Sequence, residues 1–190
     1  MYEVELKFPV TEIEPLIARL TGLATRFRDP LQQVDRYFAH PVRNFAKTDE
    51  ALRLRQVGAE VAVTWKGPRV DAAAKIRREI ELGVMPSGPT GQATVAAWTE
   101  LLEALGFRQV LEVAKTRRPA RVLWHGSEVE VALDEVDGLG AFAEFEIVAR
   151  EGEVPLARDC VESLAREVGL ETPEPASYLE LLLRQQVPPR

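Results

Sequence analysis

Acidic and basic side chains recur two residues apart along several short segments of this chain, and that spacing limits the chemistry they can do. In an extended strand successive side chains point to opposite faces. In Glu3-Val4-Glu5-Leu6-Lys7-Phe8 the three charged groups therefore share one face and the three apolar groups the other. The same separation recurs downstream. Leu52 and Leu54 oppose Arg53 and Arg55, and Val61, Val63 and Trp65 oppose Lys66. Ile76, Ile80 and Leu82 oppose Lys75, Arg77, Glu79 and Glu81. Val129, Val131 and Leu133 oppose Glu128, Glu130 and Asp134, while Phe145 and Ile147 oppose Glu144 and Glu146. Lys115 and Arg117 share a face in a further segment.

A half-buried sheet with its charged side in water would explain any one of these strands. For the whole set, a sheet of eight or so strands tends to curl or close, which places one face inside. Charge enclosed this way needs partners. Arg53, Arg55, Arg77 and Arg117, with Lys7, Lys66, Lys75 and Lys115, could hold phosphate oxygens, the arginines as forks and the lysines as point charges. Glu3, Glu5, Glu79, Glu81, Asp134, Glu144 and Glu146 could reach a polyanion only through a hard cation such as Mg²⁺ or Mn²⁺. Acids and bases together point to a metal–polyphosphate complex.

The elements that must position these groups are legible from period and punctuation. Helical spacing marks 11–21, 92–105, 156–168 and 178–186. Thr11 with Glu14, and Ser177 with Glu180, have the form of capping boxes. Gly106 and Gly169 follow as helix stops. Alternation predicts strands at 3–8, 33–38, 51–57, 60–66, 75–82, 113–118, 121–125, 128–134 and 143–149. Gly58-Ala59, 67–73 and 137–140 supply turns. The stretch 83–91 reads as a joint between two βαβββ-like halves of a single domain, 1–190. The predicted class is α+β with an antiparallel, strand-rich core.

Composition narrows the function. With 28% charged and 46% hydrophobic residues the chain is globular, and a net charge of −6 argues against a nucleic-acid surface. One cysteine, Cys160, and two histidines, His40 and His125, exclude an internal disulfide and a Cys/His zinc site. No run approaches the roughly 18 apolar residues of a membrane span, and the first residues lack a signal-peptide pattern. The expectation is a soluble cytoplasmic protein without a nucleic-acid or membrane partner. No GxxxxGK[ST] run exists, which excludes a P-loop. The outward apolar strand faces require cover by the helices or by a second copy, a possible homodimer. The polar connection 41–50 reads as a surface loop, with a substrate-selecting role as the alternative.

The ordered motifs resemble the CYTH family, the triphosphate tunnel metalloenzymes, which include class IV adenylyl cyclases and thiamine triphosphatases. Glu3-Val4-Glu5-Leu6-Lys7 has the family's ExExK form. It is followed in order by Asp35-Arg36-Tyr37-Phe38, Leu52-Arg53-Leu54-Arg55, Thr64-Trp65-Lys66-Gly67, Arg78-Glu79-Ile80-Glu81, Lys115-Thr116-Arg117-Arg118, Leu133-Asp134-Glu135-Val136-Asp137-Gly138, Glu144-Phe145-Glu146 and Ser177-Tyr178-Leu179-Glu180. The resemblance implies an eight-stranded antiparallel β-barrel, a tunnel with a charged lumen and helices packed outside. It implies that Glu3, Glu5, Asp134, Glu144 and Glu146 bind metal. It also implies that Lys7, Arg53, Arg55, Lys66, Lys115 and Arg117 bind triphosphate; Lys75 and Arg77 join them by strand face.

Two reactions suit such a cradle, cyclisation of ATP to cyclic AMP with loss of pyrophosphate, and hydrolysis of the terminal phosphate of inorganic or thiamine triphosphate. In either, Glu79, Glu81 and Lys66 are the expected catalytic groups, with a carboxylate (Glu79, Glu81 or Glu144) accepting the proton. The resemblance further implies that hydrolytic members close one tunnel end with a base from the last helix. Here 178–186 has only Arg184, in its last turn, so an open end suited to a nucleotide is expected and the cyclase is placed first. A polyphosphate- or nucleotide-binding module without turnover is the remaining alternative.

Overall fold

The computed structural model describes residues 2–71, 76–86 and 90–186. They form β1 (Tyr2–Val10), α1 (Ile13–Gly22), β2 (Arg26–Phe27), β3 (Leu31–Ala39), α2 (Phe45–Thr48), β4 (Ala51–Val57), β5 (Glu60–Asp71), β6 (Ile76–Gly83), α3 (Gly91–Ala104), β7 (Arg108–Trp124), β8 (Ser127–Val136), β9 (Gly140–Ala149), a 3-10 turn (Glu151–Glu153), α4 (Val154–Glu167) and α5 (Tyr178–Gln186). Eight strands run edge to edge in the order β7-β3-β4-β5-β6-β1-β9-β8, and β8 pairs back onto β7. The sheet is therefore a closed antiparallel barrel, with β2 added as a two-residue strand beside β7. The β1–β6 seam is short, joining Tyr2 to Arg78 and Glu3 to Arg77, whereas β1 pairs with β9 from Tyr2 to Val10.

The apolar faces point outward beneath the helices. Val4, Leu6 and Phe8 of β1 and Phe145 of β9 pack against Leu16 and Leu20 of α1 and Val161 and Leu164 of α4. On another side Phe38 and Leu54 meet Leu102 of α3, with Trp98 against them. Full burial of each such side chain contributes about 1.5–3 kcal/mol. Because the core lies outside the barrel, the opposite faces of the same strands turn their charges inward. Lys7, Asp35, Arg53, Arg77, Lys115 and Asp134 are all buried polar groups. Cys160 lies in the apolar core as a small hydrophobe, as its helical position predicts.

Local differences from the sequence reading have physical causes. Segments 113–118 and 121–125 are one strand, β7, running through Pro119. In a strand the N and O of one residue point the same way, and Pro119 O accepts from Arg28 N. Its missing N–H thus faces the gap where pairing with β3 stops at Arg117 and pairing with β2 begins at Ala120. The turn expected at 67–73 is instead the end of β5, with register shifts between Lys66 and Asp71; residues 72–73 lie outside the described residues. Glu12, not Thr11, is the N-cap of α1, without a side-chain cap bond. At α5 the box is present: Ser177 N donates to Glu180 Oε2 at 2.6 Å and Glu180 N to Ser177 Oγ at 3.2 Å. Gly106 ends α3 with φ of +88°. The joint expected at 83–91 starts at the last residue of β6 and ends at the first of α3, and its residues 87–89 lie outside the described residues. No helix among the described residues is long and apolar enough to cross a membrane.

Candidate active site: a charged tunnel

Strand alternation and closure together build a cavity of about 900 Å³ inside the barrel. Glu3 and Glu5 from β1, Arg53 and Arg55 from β4, Lys66 from β5, Arg77, Glu79 and Glu81 from β6, Lys115 and Arg117 from β7, and Glu144 and Glu146 from β9 all line it. A smaller hollow of about 80 Å³ beside Arg28 and Arg121 shares Arg117, Glu130, Glu144 and Glu146 with the larger one. Those four side chains therefore face both hollows.

The bases are organised by two buried aspartates. Asp35 accepts a fork from Arg55, at 2.8 and 2.9 Å, and a longer bond from Arg53 at 3.5 Å. Burial alone would raise the Asp35 pKa, but Arg53 and Arg55 more than offset it and hold the carboxyl well below its usual range. Asp134 accepts from Lys115 at 2.8 Å, from Arg117 at 2.7 and 2.6 Å, and from the Tyr178 hydroxyl at 3.0 Å. Burial and then Arg117 push Lys115 down to about 8, against the pull of Glu144 and Asp134. Arg117 also pairs with Glu144. Each basic cluster is thus pre-aimed by a carboxylate behind it.

The acidic wall is less neutralised. Lys66 pairs with Glu3 at 3.3 Å and with Glu79. Glu5 and Glu146 stand in register across β1 and β9, and like charges directly opposite repel. Burial, followed by Glu3 and Glu5, raises Glu146 above the ordinary carboxylate range. Burial also raises Glu3, reinforced by Glu79 and Glu5 and opposed by Lys66. Glu81 accepts from Thr64 at 2.7 Å and lies 3.6 Å from Arg53, and these offset its burial to lower its pKa.

Oxygen-only donors of this kind suit a hard divalent cation. Among the described residues no three acidic side chains already form a closed ligand set.

Two expected site residues take other positions. Lys7 is 1% exposed; its ammonium donates to the Ala176 carbonyl and lies 4.3 Å over the Tyr178 ring, behind the cavity wall rather than in it. Asp134, expected as a metal ligand, is fully buried behind the cavity lining, where it accepts from Lys115, Arg117 and Tyr178 and orients these groups. Lys75 lies outside the described residues. The tunnel end expected to stand open is lined by Ser177, Tyr178, Glu180 and Leu183. Asp35 and Tyr178 organise the site yet were absent from the expected set. Alternation places Asp35 on the lumen face, but nothing local in the sequence ties Tyr178 to Asp134, 44 positions away.

The family model for the CYTH domain matches residues 1–177. The chain is 33% identical over 146 residues to MJ0240 of Methanocaldococcus jannaschii, named as a candidate adenylate cyclase, with 77% of each chain covered. It is 27% identical over 173 residues to adenylate cyclase CyaB of Aeromonas hydrophila, covering 89% of this chain and 81% of that one. Among solved structures, the PH1819 protein of Pyrococcus horikoshii is 40% identical, with a TM-score of 0.83 over 96% of this chain and 99% of that one.

Proposed function

This chain belongs to the CYTH family, and from that premise we propose that its tunnel binds a triphosphate together with Mg²⁺ or Mn²⁺ and cyclises ATP to cyclic AMP and pyrophosphate. The observation that carries the reading is one cavity whose walls carry Arg53, Arg55, Lys115 and Arg117 as well as Glu3, Glu5 and Glu146. Relatives named as adenylate cyclases support the choice of reaction.

Arg55 and Arg117, oriented by Asp35 and Asp134, present N–H groups to phosphate oxygens, and Arg53, Arg77, Lys66 and Lys115 add positive charge around them. Glu3, Glu5 and Glu146 would hold the metal, with Glu144 beside them. A bound divalent ion neutralises phosphate charge and lowers the pKa of the attacking hydroxyl. The ribose 3′-oxygen forms a bond to the α-phosphorus as the bond from that phosphorus to the bridging oxygen breaks. Pyrophosphate leaves with that oxygen. Glu81, kept ionised by Thr64 and Arg53, is the acceptor for the hydroxyl proton, with Glu79 next to Lys66 as the other carboxylate in place. Guanidinium groups fixed before the reaction stabilise charge spreading onto the phosphates.

Hydrolysis of a terminal phosphate is the second reading, favoured by the tunnel end that Tyr178 and its neighbours line. Incubation with ATP, tripolyphosphate and thiamine triphosphate, each with Mg²⁺ or Mn²⁺, followed by product analysis, separates the two. Cyclic AMP with pyrophosphate supports cyclisation, and orthophosphate supports hydrolysis. The absence of both products from every substrate overturns an enzymatic role.

A further inference from the structure

The charged cradle is only part of the cavity wall; the rest is chemically different. Resting on the triphosphate reading above, we propose that segment 40–50, together with Arg108 and Val110 of β7, forms a subsite for a neutral planar nucleobase. This subsite selects nucleoside triphosphates over inorganic tripolyphosphate and over thiamine triphosphate.

Val42 and Val110 line the cavity while remaining 88% and 44% exposed, so apolar surface is left in water beside a site built for polyanions. A tripolyphosphate has no use for it, whereas the face of a base does. Arg43 lies over the Phe45 ring at 5.2 Å and bonds Glu50 at 2.9 Å, which holds its guanidinium plane at the rim. Arg108 lines the same cavity. Guanidinium planes stack on nucleobases without regard to sequence.

His40 adds direction. Its Nδ1 accepts from the backbone N–H groups of Val42 at 3.0 Å and Arg43 at 2.9 Å, which assigns the ring proton to Nε2. The ring is held 5.4 Å from Phe45 and 5.1 Å from Phe107 between centroids. The imidazole, which also lines the cavity, is therefore held in one tautomer with its N–H at Nε2.

Charge sets the class of ligand. The carboxylates on this side are each held by an arginine: Glu50 by Arg43, and Asp49 and Glu180 by Arg69. With those pairs made, Arg108 is the charge left over on this rim among the described residues. Such a surface accepts a neutral base and repels the cationic thiazolium of thiamine.

The test measures dissociation constants by calorimetry with Mg²⁺, in the cold to suppress turnover, for ATP, tripolyphosphate and thiamine triphosphate. The unmodified protein is compared with Arg43→Ala, Val110→Asp and Val42→Asp; Val42 is the most exposed of the three positions and the least able to disturb folding. The unmodified protein is expected to hold ATP more tightly than either other ligand. Each substitution is expected to weaken ATP roughly fivefold or more relative to tripolyphosphate. An unchanged ratio in all three variants, or tighter binding of thiamine triphosphate than ATP, overturns the base subsite alone. An unmodified protein that binds none of the three overturns the triphosphate reading with it.

Discussion

Glu5 faces Glu146 across the β1–β9 ladder, two carboxylates in register on the lumen side of a closed barrel. Placing like charges opposite each other is destabilising unless something positive lies between them or a proton neutralises one. Burial and neighbouring acids raise both Glu3 and Glu146 above the ordinary carboxylate range, so these groups keep protons that a divalent cation must displace. Metal affinity should therefore keep rising through neutral pH, beyond the point near pH 4–5 where an ordinary carboxylate is fully available. Calorimetry with Mg²⁺ or Mn²⁺ in buffers of differing ionisation enthalpy should show proton release on binding. Glu146→Gln should weaken binding and flatten its pH dependence, and pH-independent affinity across this range would contradict the assignment.

Lys115 gives the opposite proton signal. Its folded pKa of about 8 lies below the ordinary 10.5, so between those values the folded chain has lost a proton that the unfolded chain keeps. From this group stability rises with pH across that window. A triphosphate beside Lys115 restores the charge. Binding above pH 8 should therefore take up a proton and weaken as pH increases. Lys115→Arg, which does not titrate there, should abolish the uptake.

Asp35 is expected to matter for folding as much as for orientation. Its removal leaves Arg53 and Arg55 without their shared counter-ion inside the barrel, where breaking a buried pair typically costs about 3–5 kcal/mol. The Asp35 pKa is depressed, so its contribution is present above about pH 4, the unfolded value, and is lost as pH falls through the lower folded value. Urea melts of Asp35→Asn should show a large loss at pH 7 that shrinks only in strong acid. Equal stability of the two proteins at pH 7 would refute this role.

Arg55 and Glu5 test the chemistry itself. Arg55→Ala removes a preorientated phosphate donor, and losses of roughly 10²–10³ in kcat accompany removal of such groups elsewhere. Glu5→Ala should lose turnover through the metal. Glu5→Ala should keep native circular dichroism, since it removes a carboxylate facing Glu146. Arg55→Ala leaves Asp35, of its arginine bonds, only the longer one from Arg53, so its kinetics are read at a temperature where circular dichroism shows the variant folded. A fully active Arg55→Ala protein would remove this residue from the cradle.

Arg69, near the end of β5, ties segment 40–50 to α5 and to the residues just before it. It bonds Asp49 through Nε and Nη2, both at 2.8 Å, Glu180 at 3.1 Å and the Pro175 carbonyl at 2.9 Å. Asp49 sits at a left-handed φ of 55°, a conformation these bonds help to hold. Arg69→Ala should free segment 40–50 and α5 from each other and raise KM for ATP more than it lowers kcat. A lower kcat at unchanged KM would place Arg69 in the chemistry instead.

Strand alternation by itself determines which face of each segment carries charge, because that information is local: a period of two fixes sidedness without knowledge of any partner. Glu3, Arg53, Lys115 and Glu146 were therefore legible as charged faces that the closed barrel turns toward one cavity, and the family's ordered motifs supplied the closed barrel. The tertiary structure alone decided how those charges pair once enclosed. Asp134 looks like a metal ligand in a row of acids, but Lys115, Arg117 and Tyr178 converge on it from β7 and α5. Lys7 alternates correctly with Glu3 and Glu5, yet the C-terminal segment covers it with Ala176 and Tyr178. The continuation of β5 past Gly67 was hidden for a similar reason, since bulges are set by the partner strand. What a single strand dictates is the direction of a side chain. The group it meets depends on residues far along the chain, and only closure of the barrel brings those within hydrogen-bonding distance.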